Sequence, residues 1–255
     1  MNFRMSSGQV GRALFTLIAC LLAADLAVAV MAFGFGRDHL MGMRKLLDVN
    51  TERSIPTWFS IVQLTASSAL LAVIAASKRA RMDRFAPYWW LLAAGFAYLS
   101  LDESVQLHEY SGAGVTNFIS ALIPLRSFAW VALGAAAAAT AFALFLPFLR
   151  GLPQRFRHRF LWAGACYLGG ALGVELIGGV YEIGTRARSF ELALAHALEE
   201  GMEMAGIALF ISALLAYIGS EMGEISIRLG AAPVAGTARS SPARRTPSRT
   251  PAHSI

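Results

Sequence analysis

Long apolar runs separated by short polar stretches dominate this chain. Each run is close to or longer than the roughly 20 residues that a helix needs to cross a hydrocarbon core. Six such runs occur, at 12–34, 57–77, 88–108, 126–148, 160–182 and 193–219. We therefore predict an all-α fold, a polytopic membrane helical bundle with about six transmembrane helices.

The composition supports one membrane domain followed by a tail. Of the 255 residues, 56% are hydrophobic and 15% are charged, whereas about 25% charged residues is usual for a soluble domain. The stretch after about 220 is rich in Arg, Ser and Pro and has no apolar periodicity, which is typical of disorder. We predict a transmembrane helical domain over 1–220 and a disordered basic cytoplasmic tail over 221–255.

Basic residues predict the orientation of the bundle. The N-terminus, 78–86, 149–159 and the tail together contain 15 Lys and Arg residues, whereas the intervening connections together contain 7. Such residues collect on the cytoplasmic side of membrane proteins, so both termini are predicted to be cytoplasmic. Topology then accounts for the net charge of +6, and no nucleic-acid partner is expected.

The first apolar run has some features of a signal peptide. Arg4 and Arg12 precede it, and Ala27-Val28-Ala29 resembles a cleavage site. The apolar stretch nevertheless continues to Phe33, which is long enough to span the membrane. We interpret it as a retained helix.

The connection between the first two runs contains two further signals. Pro56 suits the first turn of the second helix. Residues 38–47 have apolar positions spaced as in a short amphipathic helix at the membrane surface.

Acidic and histidine side chains within or at the ends of the apolar runs are the main functional signal. Such groups are costly at membrane depth and usually mark a functional site. They occur in or near the third, fifth and sixth runs: Asp102, Glu103, His108, Glu109, Glu175, Glu182, His196, Glu199, Glu200 and Glu203. Asp25 adds an acid in the first run.

Helical geometry predicts that several of these acids meet. At a rise of about 1.5 Å per residue, Asp102, Glu175 and Glu203 lie about 21 to 24 Å from the inner surface of a core about 30 Å thick. His196, Glu199, Glu200 and Glu203 share one helical face because they are three, four and seven residues apart. We expect a common acidic pocket near the periplasmic face.

So many carboxylates cannot all be ionised in a low-dielectric interior, so either metal ions or protons must neutralise them. Bundled di-iron and di-manganese sites combine carboxylates with Glu-x-x-His pairs, and His196 and Glu199 have that spacing in reverse order. The ten residues above are therefore candidate ligands of a divalent metal ion, Fe, Mn or Zn. Alternatively, Glu109 and Glu182 lie at the water interface, Asp25 pairs with a backbone or hydroxyl group, and the remaining acids are structural polar packing.

Four segments resemble an uncharacterised family of bacterial integral membrane proteins. They are Ile55-Pro56-Thr57-Trp58-Phe59-Ser60, Leu99-Ser100-Leu101-Asp102-Glu103 with His108-Glu109, Gly173-Val174-Glu175-Leu176-Ile177-Gly178-Gly179, and Glu199-Glu200-Gly201-Met202-Glu203-Met204-Ala205-Gly206. The resemblance covers roughly residues 45–218. It implies a multi-pass protein of the bacterial inner (plasma) membrane, and it implies no particular activity.

Three functions remain open from the sequence. The first is a divalent, possibly dinuclear, metal site in an oxidoreductase that acts on a lipophilic small molecule. The second is a proton- or cation-coupled transporter, and the third is an accessory subunit docked on a partner in a membrane complex. Hydrolase chemistry is not supported because no Gly-x-Ser-x-Gly segment occurs.

Overall fold

The structure is a computed structural model that describes residues 6–35, 43–51, 53–105, 126–177 and 189–222. Within these ranges, all regular secondary structure is helical. The described residues belong to one compact unit, Met1–Gly223. The predicted tail lies outside the described residues except for 221 and 222, which end the last helical segment.

Seven α-helices occur in the described ranges. They are α1 (Ser7–Phe35), α2 (Met43–Leu47), α3 (Ile55–Ala80), α4 (Ala86–Val105), α5 (Arg126–Gly151), α6 (Gln154–Leu168) and α7 (Phe190–Tyr217). Two of them continue as π-helices: α6 runs into Gly169–Val174, and α7 runs into Ile218–Met222.

Five helical segments in the described ranges are long and apolar enough to cross a membrane. They are Ser7–Phe35, Ile55–Ala80, Val131–Gly151, Gln154–Ile177 and Phe190–Met222. These helices are compatible with an integral membrane protein, as predicted. The predicted span that is missing from this set is the third run, which corresponds to α4; its Tyr88, Trp89, Asp102 and Glu103 lower its mean hydropathy. A sixth span and the cytoplasmic position of the termini therefore stay predictions.

The start of α3 follows the sequence signals. Ser54 is the N-cap, and its Oγ accepts a hydrogen bond from the Thr57 backbone N–H at 3.2 Å. Pro56 lies in the first turn, as expected. Of the predicted surface helix over 38–47, residues 43–47 form α2, and 36–42 lie outside the described residues.

The core is built around α7, which packs against α1, α3 and α6. Met204, Ala208 and Leu214 on this helix are fully buried. Close approach to α6 depends on Gly206, where a Cβ atom would lie 2.7 Å from the backbone nitrogen of Tyr167. The position of α7 therefore determines what each neighbouring helix can bring to a site.

Hydroxyl groups hold α4 against α3. The hydroxyls of Thr65 and Ser100 are 2.8 Å apart, and the Ser68 hydroxyl donates to the Ala93 carbonyl at 2.8 Å. These bonds satisfy polar groups between two otherwise apolar helices. They position the end of α4 that carries Asp102 and Glu103.

Candidate functional site

Five acidic side chains from three helices come together beside α7. This carboxylate cluster consists of Glu103 on α4, Glu175 just after the π-helix that extends α6, and Glu199, Glu200 and Glu203 on α7. The carboxyl groups of Glu175 and Glu199 lie within hydrogen-bonding range of each other. Glu200 interacts electrostatically with Glu103 and Glu199, and Glu203 interacts with all three of Glu103, Glu199 and Glu200.

Helical spacing explains why α7 supplies three members of the cluster. Residues 199, 200 and 203 are neighbours on one helix face because they are separated by one, three and four positions. The start of the helix is fixed by Ser189, whose Oγ accepts a hydrogen bond from the Leu192 backbone N–H at 3.3 Å. The three acids lie beside one another on α7, whereas His196, predicted on the same face, lines a neighbouring cavity.

A phenol that the sequence analysis did not single out belongs to the same site. Tyr167 on α6 forms a side-chain hydrogen bond with Glu203 and interacts electrostatically with Glu103 and Glu200. Its hydroxyl can donate to an ionised carboxylate or accept from a protonated one. The available sequence signal was a hydroxyl-bearing side chain in an apolar run that also carries Glu175.

The π-helix after α6 brings Glu175 next to α7. A Cβ atom on Gly170 would lie 2.6 Å from the backbone oxygen of Glu199 and 3.1 Å from the Cγ of Glu203. One turn earlier, the Cys166 thiol donates a hydrogen bond to the Met202 carbonyl at 3.3 Å. The two backbones are therefore very close where the acids meet, and single-turn π-helices are frequent at functional sites.

The structure assigns Asp25 and His196 to a different position. The Asp25 Oδ1 accepts a hydrogen bond from the Val49 backbone N–H at 3.2 Å, which is the backbone pairing considered for it. Both Asp25 and His196 line a cavity at the end of the bundle that holds α2. Asp25 also interacts electrostatically with Glu200, so this cavity borders the carboxylate cluster.

The remaining predicted site residues divide into two groups. Asp102 is partly buried on α4, next to Glu103. His108, Glu109 and Glu182 lie outside the described residues. The convergence of acids is thus seen for members of the third, fifth and sixth apolar runs.

A metal site is not preformed in the part of the chain that the structure describes. There, no three or more His, Cys, Asp or Glu side chains form a group that could hold a metal ion. Metal ligation by the ten residues of the sequence analysis therefore stays a prediction.

Basic residues are missing from the sequence stretches that supply the cluster. No Lys or Arg occurs in 85–125, 160–185 or 189–227. An ionised carboxylate buried without a cationic partner is strongly unfavourable. The cluster acids are partly buried, so this lack of nearby cations favours protons, or a cation from outside these stretches, as the neutralising species.

The other half of α7 is enclosed by aromatic rings. Trp89 is 1% exposed, and its ring centroid lies 4.9 Å from that of Phe148 and 5.0 Å from that of Tyr217. Nearer the acids, the rings of Phe96 and Phe210 stack at 4.8 Å. The sequence from 204 to 220 contains no Asp, Glu, Lys, Arg or His. This half offers the cluster no titratable carboxylate or base from α7.

Comparison with known proteins gives a family and no activity. No curated protein and no solved structure matches the chain. A family model described as a domain of unknown function (DUF8692) matches residues 13–218. This segment includes most of α1, all of α7 and the whole carboxylate cluster. The chain therefore belongs to the DUF8692 family, whose function is unknown.

Proposed function

We propose that this chain is an integral membrane protein whose carboxylate cluster holds protons inside the membrane and exchanges them with solvent at one face. The observation that supports this proposal is that the carboxyl groups of Glu175 and Glu199 lie within hydrogen-bonding range of each other. Two ionised carboxylates repel each other, and neither has a hydrogen to donate. Two carboxyl groups this close are therefore stabilised when they share a proton.

The second support is the surroundings of Glu203. Its neighbours are the acids Glu103, Glu199 and Glu200 and the hydroxyl of Tyr167. Protonated Glu203 can donate to the phenol oxygen, whereas ionised Glu203 can accept from the phenol hydroxyl. Tyr167 can therefore stabilise either protonation state of Glu203, which suits a group that gains and loses a proton repeatedly.

The third support is the difference between the two ends of the cluster. On one side, Glu200 interacts with Asp25, which lines a cavity. On the other side, the ring of Phe96 stacks on that of Phe210, which belongs to α7. Proton exchange from the cavity side is consistent with a proton-coupled transporter that reaches its cluster from the periplasmic face.

Infrared difference spectroscopy on the purified protein in lipid tests the proposal. A protonated carboxyl group has a C=O stretch separate from that of a carboxylate, and the band shifts in D₂O. We expect such a band in the wild type near neutral pH and its reduction in Glu199→Gln. Glu191→Gln is the matched control because Glu191 is an exposed acid in the first turn of the same helix. A wild type without the band contradicts the proposal.

Metal binding is the second candidate function, and the meeting of carboxylates from three helices favours it. Fe, Mn or Zn would require these acids to regroup around the ion, with oxidoreductase chemistry on a lipophilic substrate as the further step. Metal analysis after reconstitution separates the two candidates. We expect less than one transition metal per chain; a stoichiometric metal that is lost in Glu203→Gln would replace the proton proposal.

A further inference from the structure

A second site is formed where α1, the segment after α2 and the start of α7 meet. The cavity there has a volume of about 310 Å³, which lies within the size range of small-ligand pockets. Its walls combine polar groups with apolar side chains such as Val28, Leu192 and Ala193. The cavity is distinct from the carboxylate cluster, although Asp25 borders both.

Asp25 is the unusual group in the wall of this cavity. The residue is 6% exposed, and its Oδ1 accepts the hydrogen bond from Val49. Its buried Oδ2 has no hydrogen-bond partner among the described residues. A buried carboxylate oxygen without a partner is unfavourable, so this atom favours a ligand that supplies an N–H or O–H donor.

The charges around Asp25 favour a cationic donor. Asp48 also lines the cavity and interacts electrostatically with Asp25, so two carboxyl groups face the same region. His196 lines the cavity as well. Arg44 lines the cavity too, with its guanidinium 5.4 Å from the centroid of the Phe33 ring, so these wall residues carry two carboxyl groups and one guanidinium.

We propose that this cavity binds a small organic cation, a primary ammonium group on a short apolar chain. The ammonium group has three N–H donors, so it would donate to the Asp48 carboxylate and, once the Asp25 side chain turns its enclosed Oδ2 toward the cavity, to that oxygen. The chain would contact Val28, Leu192 and Ala193. A primary amine suits the cavity better than a metal ion, because the described residues form no metal-binding group. This binding does not require the carboxylate cluster to hold protons.

Isothermal titration of the full-length protein in detergent tests the proposal with n-butylammonium as the probe. The matched probes are n-butanol, which lacks the charge, and butyrate, which has the opposite charge and would favour Arg44. We expect saturable binding of butylammonium and no saturable binding of the other two. Equal binding of butanol, binding of butyrate in place of butylammonium, or no binding of butylammonium would overturn the proposal.

Two variants locate the binding site. Asp25→Asn removes the carboxylate charge and is expected to weaken butylammonium binding at least about tenfold. Ala193→Phe fills the cavity and is expected to abolish butylammonium binding. If Asp25→Asn does not elute as a folded protein, Ala193→Phe alone decides whether the cavity is the binding site. Glu191→Gln, on the same helix but outside the cavity wall, should bind like the wild type. Wild-type affinity in Ala193→Phe would overturn the assignment.

Discussion

The two halves of α7 have opposite surroundings, carboxyl groups around one and aromatic rings around the other. Residues 199–203 face carboxyl groups from α4 and α6, and the helices approach through small residues such as Gly170. Residues 207–217 face large rings, among them Trp89 and Phe160. The difference teaches that one helix can combine an aromatic half held by packing with a carboxylate half held by close backbone contact and, on our proposal, by protons.

Energetic differences should follow from this division. The aromatic half fills its volume with rings in edge-to-face and stacked contacts, which tolerate truncation poorly. In the carboxylate half, conservative replacements such as Glu to Gln keep the shape and a hydrogen-bond donor. The stability of the aromatic half should therefore depend on side-chain size. The stability of the carboxylate half should depend on the separation of the backbones and on whether the acids hold protons.

Truncation in the aromatic half should have the largest effect. Trp89→Ala removes a fully buried ring between Phe148, Phe160 and Tyr217, and we expect a loss of about 3 to 5 kcal/mol in the free energy of unfolding. Unfolding in mixed micelles with rising SDS measures it. Trp90→Ala is the matched control, because Trp90 is 42% exposed. Equal losses in the two variants would contradict a packed aromatic half.

A substitution that pushes the backbones of α6 and α7 apart should have the second largest effect on stability. Gly170→Ala places a methyl group 2.6 Å from the Glu199 backbone oxygen, and we expect a loss of about 1 to 3 kcal/mol in unfolding free energy because α6 must move away. The same displacement should reduce the infrared band of the shared proton.

Gly173→Ala provides the control for this variant within the same π-helix. A Cβ atom on Gly173 would meet no described atom within 4 Å. Stability and infrared band should therefore stay close to the wild type. If Gly173→Ala lost as much stability and infrared band as Gly170→Ala, the cause would be the helix propensity of the segment and not contact with α7.

Neutral replacement in the carboxylate half should have a smaller effect. If Glu203 holds a proton, Glu203→Gln preserves its neutral form and its volume, and we expect a change below about 1 kcal/mol in unfolding free energy. The same SDS titration measures it. A loss as large as that of Trp89→Ala would mean that Glu203 is needed as an ion, which would favour the metal alternative.

The smallest effect is expected at the turn that follows α3. Asp83 lies 3.0 Å from the Lys78 Nζ, and its Oδ1 accepts the Phe85 backbone N–H at 2.8 Å. Burial raises the pKa of Asp83, but these two partners outweigh it, and the pKa is lowered from its ordinary value. The folded state thus binds this proton more weakly than the unfolded state.

The sign of the pH dependence follows from that difference. Because the pKa of Asp83 is lowered in the fold, the ionised side chain stabilises the folded state above the unfolded pKa of about 3.9. This stabilisation is lost as the pH falls through the folded pKa. Partly exposed ion pairs contribute about 0.2 to 1 kcal/mol, so Asp83→Asn should lose no more than that at pH 6 and almost nothing at the acid end. Unfolding titrations at both pH values check this. A deficit that grows toward acid pH would contradict the sign.

The sequence predicted those parts of the site that depend on one helix at a time. Period and composition located the apolar helices, and spacing placed Glu199, Glu200 and Glu203 on one face. The membrane depth estimated from the helical rise placed Glu175 at the level of Glu203. Contacts between helices were harder, because the rotation of α4 depends on hydroxyl pairs such as Thr65 and Ser100.

Three features could not be predicted, for identifiable physical reasons. The π-helix after α6 depends on close packing of Gly170 against α7, which the spacing within one helix does not encode. Tyr167 enters the site for the same reason. The buried Gln63 donates to the Met204 carbonyl at 3.4 Å, and this bond exists only once α3 and α7 have packed together.

Proximity of Glu175 and Glu199 in the native membrane is the most direct test of the central claim. Both are replaced by Cys in a background of Cys20→Ser and Cys166→Ser, and a short bifunctional thiol reagent is added to membranes. After cleavage between α6 and α7, we expect the two fragments to stay linked. The pair of Glu175→Cys with Leu198→Cys, on an exposed position of α7, should stay unlinked. A linked control with an unlinked Glu175–Glu199 pair would contradict the existence of the carboxylate cluster.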